Sequence, residues 1–288
     1  MNDLVRPSRV AEVLQKFGLA PHKGLGQNFL VDAHALEKIL FAADIKSDEL
    51  AIEIGPGLGT LTRELAQRAR CVVAIEKDKK LTPVLADTLA AYSNVRVIFK
   101  DALEVEWESC LAGEPPPYIV VANLPYYVTT PLLMGLLECG VTFSRLIFLV
   151  QQEVAARMQA KADTPEYGAL SLAVQYYAEV KTVAVVSPRS FFPPPRVSSA
   201  VVQLQVRPDP ADFFGLRDEG VLFRLIRSAF GQRRKTLANS LTAGGFEREH
   251  VLRALEVCGI PSQTRGEKLD LVAFVELANG MTHLAKGE

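Results

Sequence analysis

From Glu49 to about Val206, short apolar runs alternate with segments of helical pattern. Five runs read as strands: residues 50–55, 71–76, 95–99, 118–123 and 145–150. The segments 60–68, 81–91, 130–138 and 152–160 suit helices. Strands that are apolar along their whole length are buried on both faces, as in a parallel sheet with helices on either side. The pattern therefore predicts a doubly wound α/β domain. The rhythm changes after Lys181. Residues 181–186 and 198–206 read as two strands with no helix between them, joined by Ser187-Pro-Arg-Ser-Phe-Phe-Pro-Pro-Pro-Arg196. This predicts a hairpin that inserts an antiparallel strand at the sheet edge. Two prolines in Arg207-Pro-Asp-Pro210 mark a boundary. Beyond it, residues 220–230, 236–241, 248–257 and 269–278 are helical in pattern. The expected organisation is an α/β domain over 1–206 and a small helical domain over 207–288.

Composition agrees with two folded domains. The chain has 288 residues, 49% hydrophobic and 23% charged, and domains average about 150 residues. Such a chain buries enough surface to need no disulfide or metal staple. No stretch reaches the roughly 20 apolar residues of a membrane span. Residues 1–23 are interrupted by Arg6, Arg9, Glu12 and Lys16 and hold no apolar signal-peptide block, so a cytoplasmic protein is expected. Cys71, Cys110, Cys139 and Cys258 are far apart, which excludes zinc-ribbon and Cys-x-x-Cys spacing. Free thiols, mostly packed in the core, are expected. The four histidines are as scattered, and no metal site is expected. With a formal charge of −1, the chain as a whole is not a polycation; the distribution of charge matters more.

The candidate chemistry begins at Glu53-Ile-Gly-Pro-Gly-Leu-Gly59, which joins the first strand to the first helix. Glycines allow a sharp turn and a close approach to a ligand. A dinucleotide fingerprint would read Gly-x-Gly-x-x-Gly, but Thr60 stands where the third glycine belongs. Glu76 ends the second strand, where a carboxylate can accept hydrogen bonds from both hydroxyls of a ribose. Asp101 follows the third strand, where a carboxylate can accept from an adenine amine. By themselves these are a glycine turn and two solvated strand-end carboxylates. Together, on three consecutive strand ends, they favour an adenosyl ligand at the carboxyl edge of the sheet.

The fourth strand ends in Asn123-Leu-Pro-Tyr126. An exocyclic adenine nitrogen is a poor nucleophile, because its lone pair is delocalised into the ring. Attack on a methyl sulfonium needs that pair localised, and acceptors aimed at the N–H groups do this: the Asn123 amide oxygen and a backbone carbonyl at Leu124 or Pro125. Pro125 fixes the turn, and Tyr126 can stack on an extruded base. No strong base is needed, since the methylated cation loses its proton to water; catalysis would come from positioning and electrostatics. A proline-bearing strand exit with two core tyrosines is the plainer alternative.

In these motifs, with Lys23-Gly-Leu-Gly-Gln-Asn-Phe-Leu30, Phe191-Phe-Pro-Pro-Pro-Arg-Val-Ser-Ser199 and Arg233-Arg-Lys-Thr-Leu237, the chain resembles the ribosomal RNA adenine N6-dimethyltransferases from Pro21 to about Leu277. Within them it is most similar to the bacterial small-subunit branch. The resemblance implies a Rossmann-like S-adenosylmethionine-dependent methyltransferase sheet with an antiparallel edge hairpin and a small C-terminal helical domain that binds RNA. It implies that Gln27, Asn28 and Leu30 close over the methionine end of S-adenosylmethionine. Gly55 and Gly57 would carry the cofactor backbone, Glu76 the ribose, and Asp101 with Ala102 the adenine. Asn123 would lie between cofactor and target base. Phe191 would stack on that base opposite Tyr126; without the resemblance, Phe191 and Phe192 read as a hydrophobic plug held by prolines. The implied substrate is a pair of adjacent adenosines in the loop of the 3′-terminal hairpin of 16S rRNA, in an immature small subunit.

Charge distribution fits an RNA partner. Residues 220–241 hold Arg224, Arg227, Arg233, Arg234 and Lys235 and no acidic residue, and such a block supplies salt-dependent phosphate affinity. Arg189 and Arg196 flank the aromatic pair. Arg6, Arg9, Lys16, His22 and Lys23 suggest a second basic strip. A loop adenine is the expected target, since bases in an A-form stem are hard to reach. Three other readings remain at this stage: a large-subunit rRNA dimethylase of the macrolide-resistance type, a ribosome-assembly factor whose methylation is incidental, and a nicotinamide-dependent oxidoreductase. The last leaves the Asn123 turn unexplained. A monomer is expected.

Overall fold

The computed structural model describes residues 2–125, 128–232 and 234–285. The chain divides into two compact units: Met1–Ala155 with Val180–Val206, and Ala156–Glu179 with Arg207–Glu288.

The first unit is built on strands β1 (Phe29–Leu30), β2 (Leu50–Ile54), β3 (Cys71–Glu76), β4 (Val95–Phe99), β5 (Tyr118–Asn123), β6 (Phe143–Gln151), β7 (Ala178–Val186), β8 (Phe191–Phe192) and β9 (Ser199–Val206). Seven of them form one sheet in the order β4-β3-β2-β5-β6-β9-β7. β2 pairs in parallel with both β3 and β5, and β5 with β6. β9 runs antiparallel to β6, from Arg145↔Gln205 to Gln151↔Ser199. It lies between β6 and the edge strand β7, so the antiparallel hairpin expected at the sheet edge is present. Every residue of β2 is buried, as expected of a central strand covered on both faces. The four expected helices appear as Thr60–Ala66, Thr82–Thr88, Thr129–Glu138 and Gln152–Gln159.

The order reverses beside β2. The chain goes outward from β2 through β3 and β4, then returns to place β5 on the other flank. Such a switch point opens a crevice at the carboxyl ends of the strands. Ile54 and Asn123 end β2 and β5 there, and a Cβ at Gly55 would lie 3.9 Å from the Asn123 carbonyl oxygen.

Two features of this unit were not foreseen. Helix Ala33–Ala43 starts at Asp32, whose Oδ1 accepts from the His34 and Ala35 amides, and buries Leu36 and Ile39. Its last carbonyls are tied to the sheet by Arg145, which donates to the Ala43 and Asp44 oxygens at 2.6 and 2.8 Å and pairs with Glu49 at 2.7 Å. β1 and β8 form a separate antiparallel ribbon, with Phe29 opposite Phe192 and Leu30 opposite Phe191. Two residues per strand is too short to register as a sequence pattern.

The second unit takes in residues 156–179, which the expected division at 206/207 left in the first domain. Residues 156–179 belong with the C-terminal helices because their side chains are spent there. Tyr176 packs on Phe214 and Phe223 at 5.7 and 5.5 Å between ring centroids, and Tyr167 on Phe230 at 5.8 Å. The Tyr167 hydroxyl donates to the Leu269 carbonyl, and Lys268 pairs with Asp163. These partners are 38 to 105 residues away, beyond the reach of local periodicity. Helix Glu219–Gly231 buries Leu222, Leu225, Ile226 and Ala229 at helical spacing and leaves Arg224 and Arg227 outside. The four cysteines are free, but half-buried and not in the core.

Candidate active site

Three strand ends meet at one cavity. After β2 the chain turns through Gly55, Gly57 and Gly59, at φ of 75°, 58° and 89°. Side chains rarely adopt these values, which explains the glycines. Glu76, at the end of β3, is buried; its two carboxylate oxygens accept from the Gly57 amide at 3.2 Å and the Asp78 amide at 2.8 Å. Burial pushes its carboxyl up. The carboxylate keeps acceptor capacity for a further donor. Asp101 follows β4, accepts from the Leu103 amide and binds the Lys77 ammonium at 2.6 Å. That ammonium holds its carboxyl below the usual range. Gly55, Gly57, Glu76, Asp101 and Ala102 all line the cavity.

The other wall comes from the Asn123-Leu-Pro turn and the segment before helix Ala33–Ala43. Gln27, Asn28, Leu30, Asn123, Leu124 and Pro125 line it. Gln27 is braced at both ends of its amide: Nε2 donates to Asp78 at 3.0 Å and Oε1 accepts from the His22 amide at 2.8 Å. The Asn123 Nδ2 donates to the Asn28 carbonyl at 3.0 Å. The Pro125 carbonyl accepts from the Val128 amide and the Thr129 hydroxyl. Both its lone pairs are engaged, so of the two backbone acceptors considered for the target amine, Leu124 is the better placed. Tyr126 and Arg233 lie outside the described residues.

Phe191 does not line the cavity; it is 3% exposed and packs with Leu30, Ile39 and Val201 in the core. The β1–β8 ribbon pairs Phe191 with Leu30, and both side chains are buried. Nor is the N-terminal strip a free basic surface, because Arg9 pairs with Asp3 and Glu12, and Lys16 with Asp87. Arg189 and Arg196, in the first unit, are exposed. In the second unit Arg224, Arg227, Arg234 and Lys235 are exposed. Arg224 stacks over Phe246 at 3.7 Å. No salt bridge among the described residues involves Arg227, Arg234 or Lys235.

Glu53 was missed. It lines the cavity, is 1% exposed, and its Oε2 has no hydrogen-bond partner among the described residues. Burial, with the Glu76 carboxylate beside it, pushes its carboxyl up to about 8. An acidic residue in the middle of an otherwise apolar strand was the available signal.

The donor set fits an adenosyl ligand: carboxylates with spare lone pairs at Glu76 and Asp101, a glycine turn open to close approach, and an unpartnered buried oxygen at Glu53. A family model for ribosomal RNA adenine dimethylases matches residues 19–281. The chain belongs to this family. A ribosomal RNA small subunit methyltransferase A from Geobacillus thermodenitrificans is 45% identical over 98% of either chain, and one from Geobacillus kaustophilus is 46% identical over the same share. Among solved structures, a dimethyladenosine transferase from Plasmodium falciparum superposes with a TM-score of 0.76 at 27% identity, covering 90% of this chain and 98% of that one. The 23S rRNA methyltransferase ErmE superposes at 0.66 with 28% identity, covering 88% and 100%. Among the described residues there is no group of three or more His, Cys, Asp or Glu side chains that could hold a metal, and no helix long and apolar enough to cross a membrane.

Proposed function

We propose that this family member transfers methyl groups from S-adenosylmethionine to N6 of two adjacent adenosines in the 3′-terminal hairpin loop of 16S rRNA, giving N6,N6-dimethyladenosine, and that it acts on an immature small ribosomal subunit. The observation that carries the reading is the Asn123 turn, on the same cavity as Glu76 and Asp101. Small-subunit relatives at 45% identity support the 16S target over the 23S one.

When bound, S-adenosylmethionine supplies an electrophilic methyl group. Glu76 accepts the ribose hydroxyls, and Asp101 the adenine amine of the cofactor. Gln27, Asn28 and Leu30 cover the methionine end. Asn123 Oδ1 and the Leu124 carbonyl accept the N–H groups of the target adenine and keep the N6 lone pair out of the ring. The Asn28 carbonyl already holds the NH2 end of the Asn123 amide, so little reorganisation of that acceptor accompanies the transfer. The proton then leaves to water. After one transfer a single N–H remains, which still engages one acceptor and permits the second. The exposed cations Arg227, Arg234 and Lys235, with Arg189, Arg196 and Arg224, contact RNA phosphates.

The test uses small subunits from a strain without the dimethylase, purified protein and methyl-labelled S-adenosylmethionine. Dimethyladenosine located by mass spectrometry in the 3′-terminal hairpin is the expected product. Label elsewhere in the RNA overturns the substrate, and no label overturns the reaction.

A further inference from the structure

The segment that covers the cavity is held by very little backbone. β1 is two residues long, and a two-residue ribbon is marginal without other support. Besides the two contacts of the Gln27 amide and the burial of Phe29, Leu30 and Val31, support comes from one carboxylate. Asp32 stands two residues after the segment and divides its oxygens: Oδ1 caps helix Ala33–Ala43, while Oδ2 accepts from the Ser190 hydroxyl at 2.6 Å. The Val31 amide donates to the Ser190 carbonyl at 2.8 Å. Ser190 is 7% exposed and comes from the connector before β8. One side chain thus ties together a helix start, the covering segment and the connector. At its other end the segment presents the Asn28 carbonyl to Asn123.

We propose that Ser190 and Asp32 are positioning residues, whose hydrogen bond holds Gln27–Leu30 over the cofactor cavity and, through the Asn28 carbonyl, keeps the oxygen of the Asn123 amide turned to the substrate. This rests on the cofactor reading of the cavity given above. A carbonyl can only accept, so Asn28 selects the NH2 end of the Asn123 amide. If the segment drifts, the amide is free to rotate and present a donor to the target N–H. Neither Ser190 nor Asp32 lines the cavity, so any effect on binding must pass through the segment.

Two variants break the same bond from opposite sides. Ser190→Ala removes the donor. Asp32→Ser removes the second oxygen yet keeps a good helix cap. Binding of S-adenosylhomocysteine is followed by calorimetry, amide exchange of Phe29–Val31 by mass spectrometry in ligand-free protein, and turnover by methyl transfer. Each single variant is expected to weaken binding about three- to tenfold, to speed exchange in that segment, and to lower kcat. The double variant is expected to be no worse than the weaker single, since both delete one interaction. Wild-type binding and exchange in either variant, or additive losses in the double, overturn the proposal. Wild-type protein that binds no S-adenosylhomocysteine overturns the cofactor reading on which it rests, and the exchange measurement then still reports whether the bond orders the segment.

Discussion

The side-chain amide of Asn123 donates to the main-chain carbonyl of Asn28 at 3.0 Å, across 95 residues of sequence. Because the partner is a carbonyl, the contact has a polarity. It consumes the NH2 of Asn123 and leaves Oδ1 as an acceptor. For an amine nucleophile this is the useful orientation, since an acceptor localises the lone pair and a donor would compete for it. In the proposed mechanism the cavity wall formed by Gln27, Asn28 and Leu30 therefore has a second task besides covering the cofactor: it orients the group that faces the target.

Asn123→Ala removes that acceptor and leaves Glu76, Asp101 and the glycine turn in place. Binding of S-adenosylhomocysteine should change little, while kcat falls by about 100-fold, the scale seen when one preorganised hydrogen-bonding group is removed from a transition state. Calorimetry and a methyl-transfer assay check the two halves. Unchanged kcat would remove Asn123 from the mechanism.

Glu53 should leave a mark on stability against pH. Its carboxyl rises from 4.5, the value of a free glutamate, to about 8 in the fold. Between those values the folded protein holds a proton that the unfolded chain has released. Its contribution to stability is therefore present below about pH 4.5 and is lost as pH rises toward 8. Glu53→Gln is neutral at every pH and should abolish this loss. The Tm of the variant should gain on that of the wild type from pH 5 to 8.5; parallel profiles would contradict the burial argument.

The exposed cations of the second unit make a salt-dependence prediction. Replacing Arg227, Arg234 and Lys235 together by alanine should weaken RNA binding and flatten the slope of log K against log salt by about 2, at about 0.7 per single-strand phosphate contact. Cofactor affinity should stay as it was. Fluorescence anisotropy with a hairpin RNA over a salt series measures the slope, and an unchanged slope would place the RNA elsewhere.

Arg145 binds the end of helix Ala33–Ala43 and Glu49 together, with both partners nearly buried, at 12% and 11% side-chain exposure. Arg145→Ala leaves the Glu49 carboxylate and two helix carbonyls without their donor. A loss of about 3 kcal/mol is expected, read by urea denaturation. Glu49→Ala in the same chain should cost less than it does alone, because the stranded charge is gone. Additive losses would show that the two residues act separately.

The residues legible in sequence share a property. Gly55, Glu76, Asp101 and Asn123 each sit at the end of an apolar strand, so a local pattern both forms the strand and places the side chain on the carboxyl edge of the sheet. The order of the strands then brings all four to one cavity. Glu53 was readable on the same grounds, as a carboxylate inside a run of apolar residues, although its role depends on how deeply it is buried.

What local pattern could not carry was decided by contacts distant in sequence. The ring of Phe191 turns inward because a two-residue ribbon pairs it with Leu30. Residues 156–179 join the second unit because Tyr167 and Tyr176 find aromatic partners beyond residue 210. Arg9 and Lys16 are neutralised by acids that fold beside them. Periodicity along the chain determined the sheet, the glycine turn and the four strand-end groups, because hydrophobic burial reads one element at a time. Tertiary structure alone decided the polarity of the Asn123 amide, the brace from Asp32 to Ser190 and the burial of Phe191, because each depends on side chains that meet only after the chain has closed on itself.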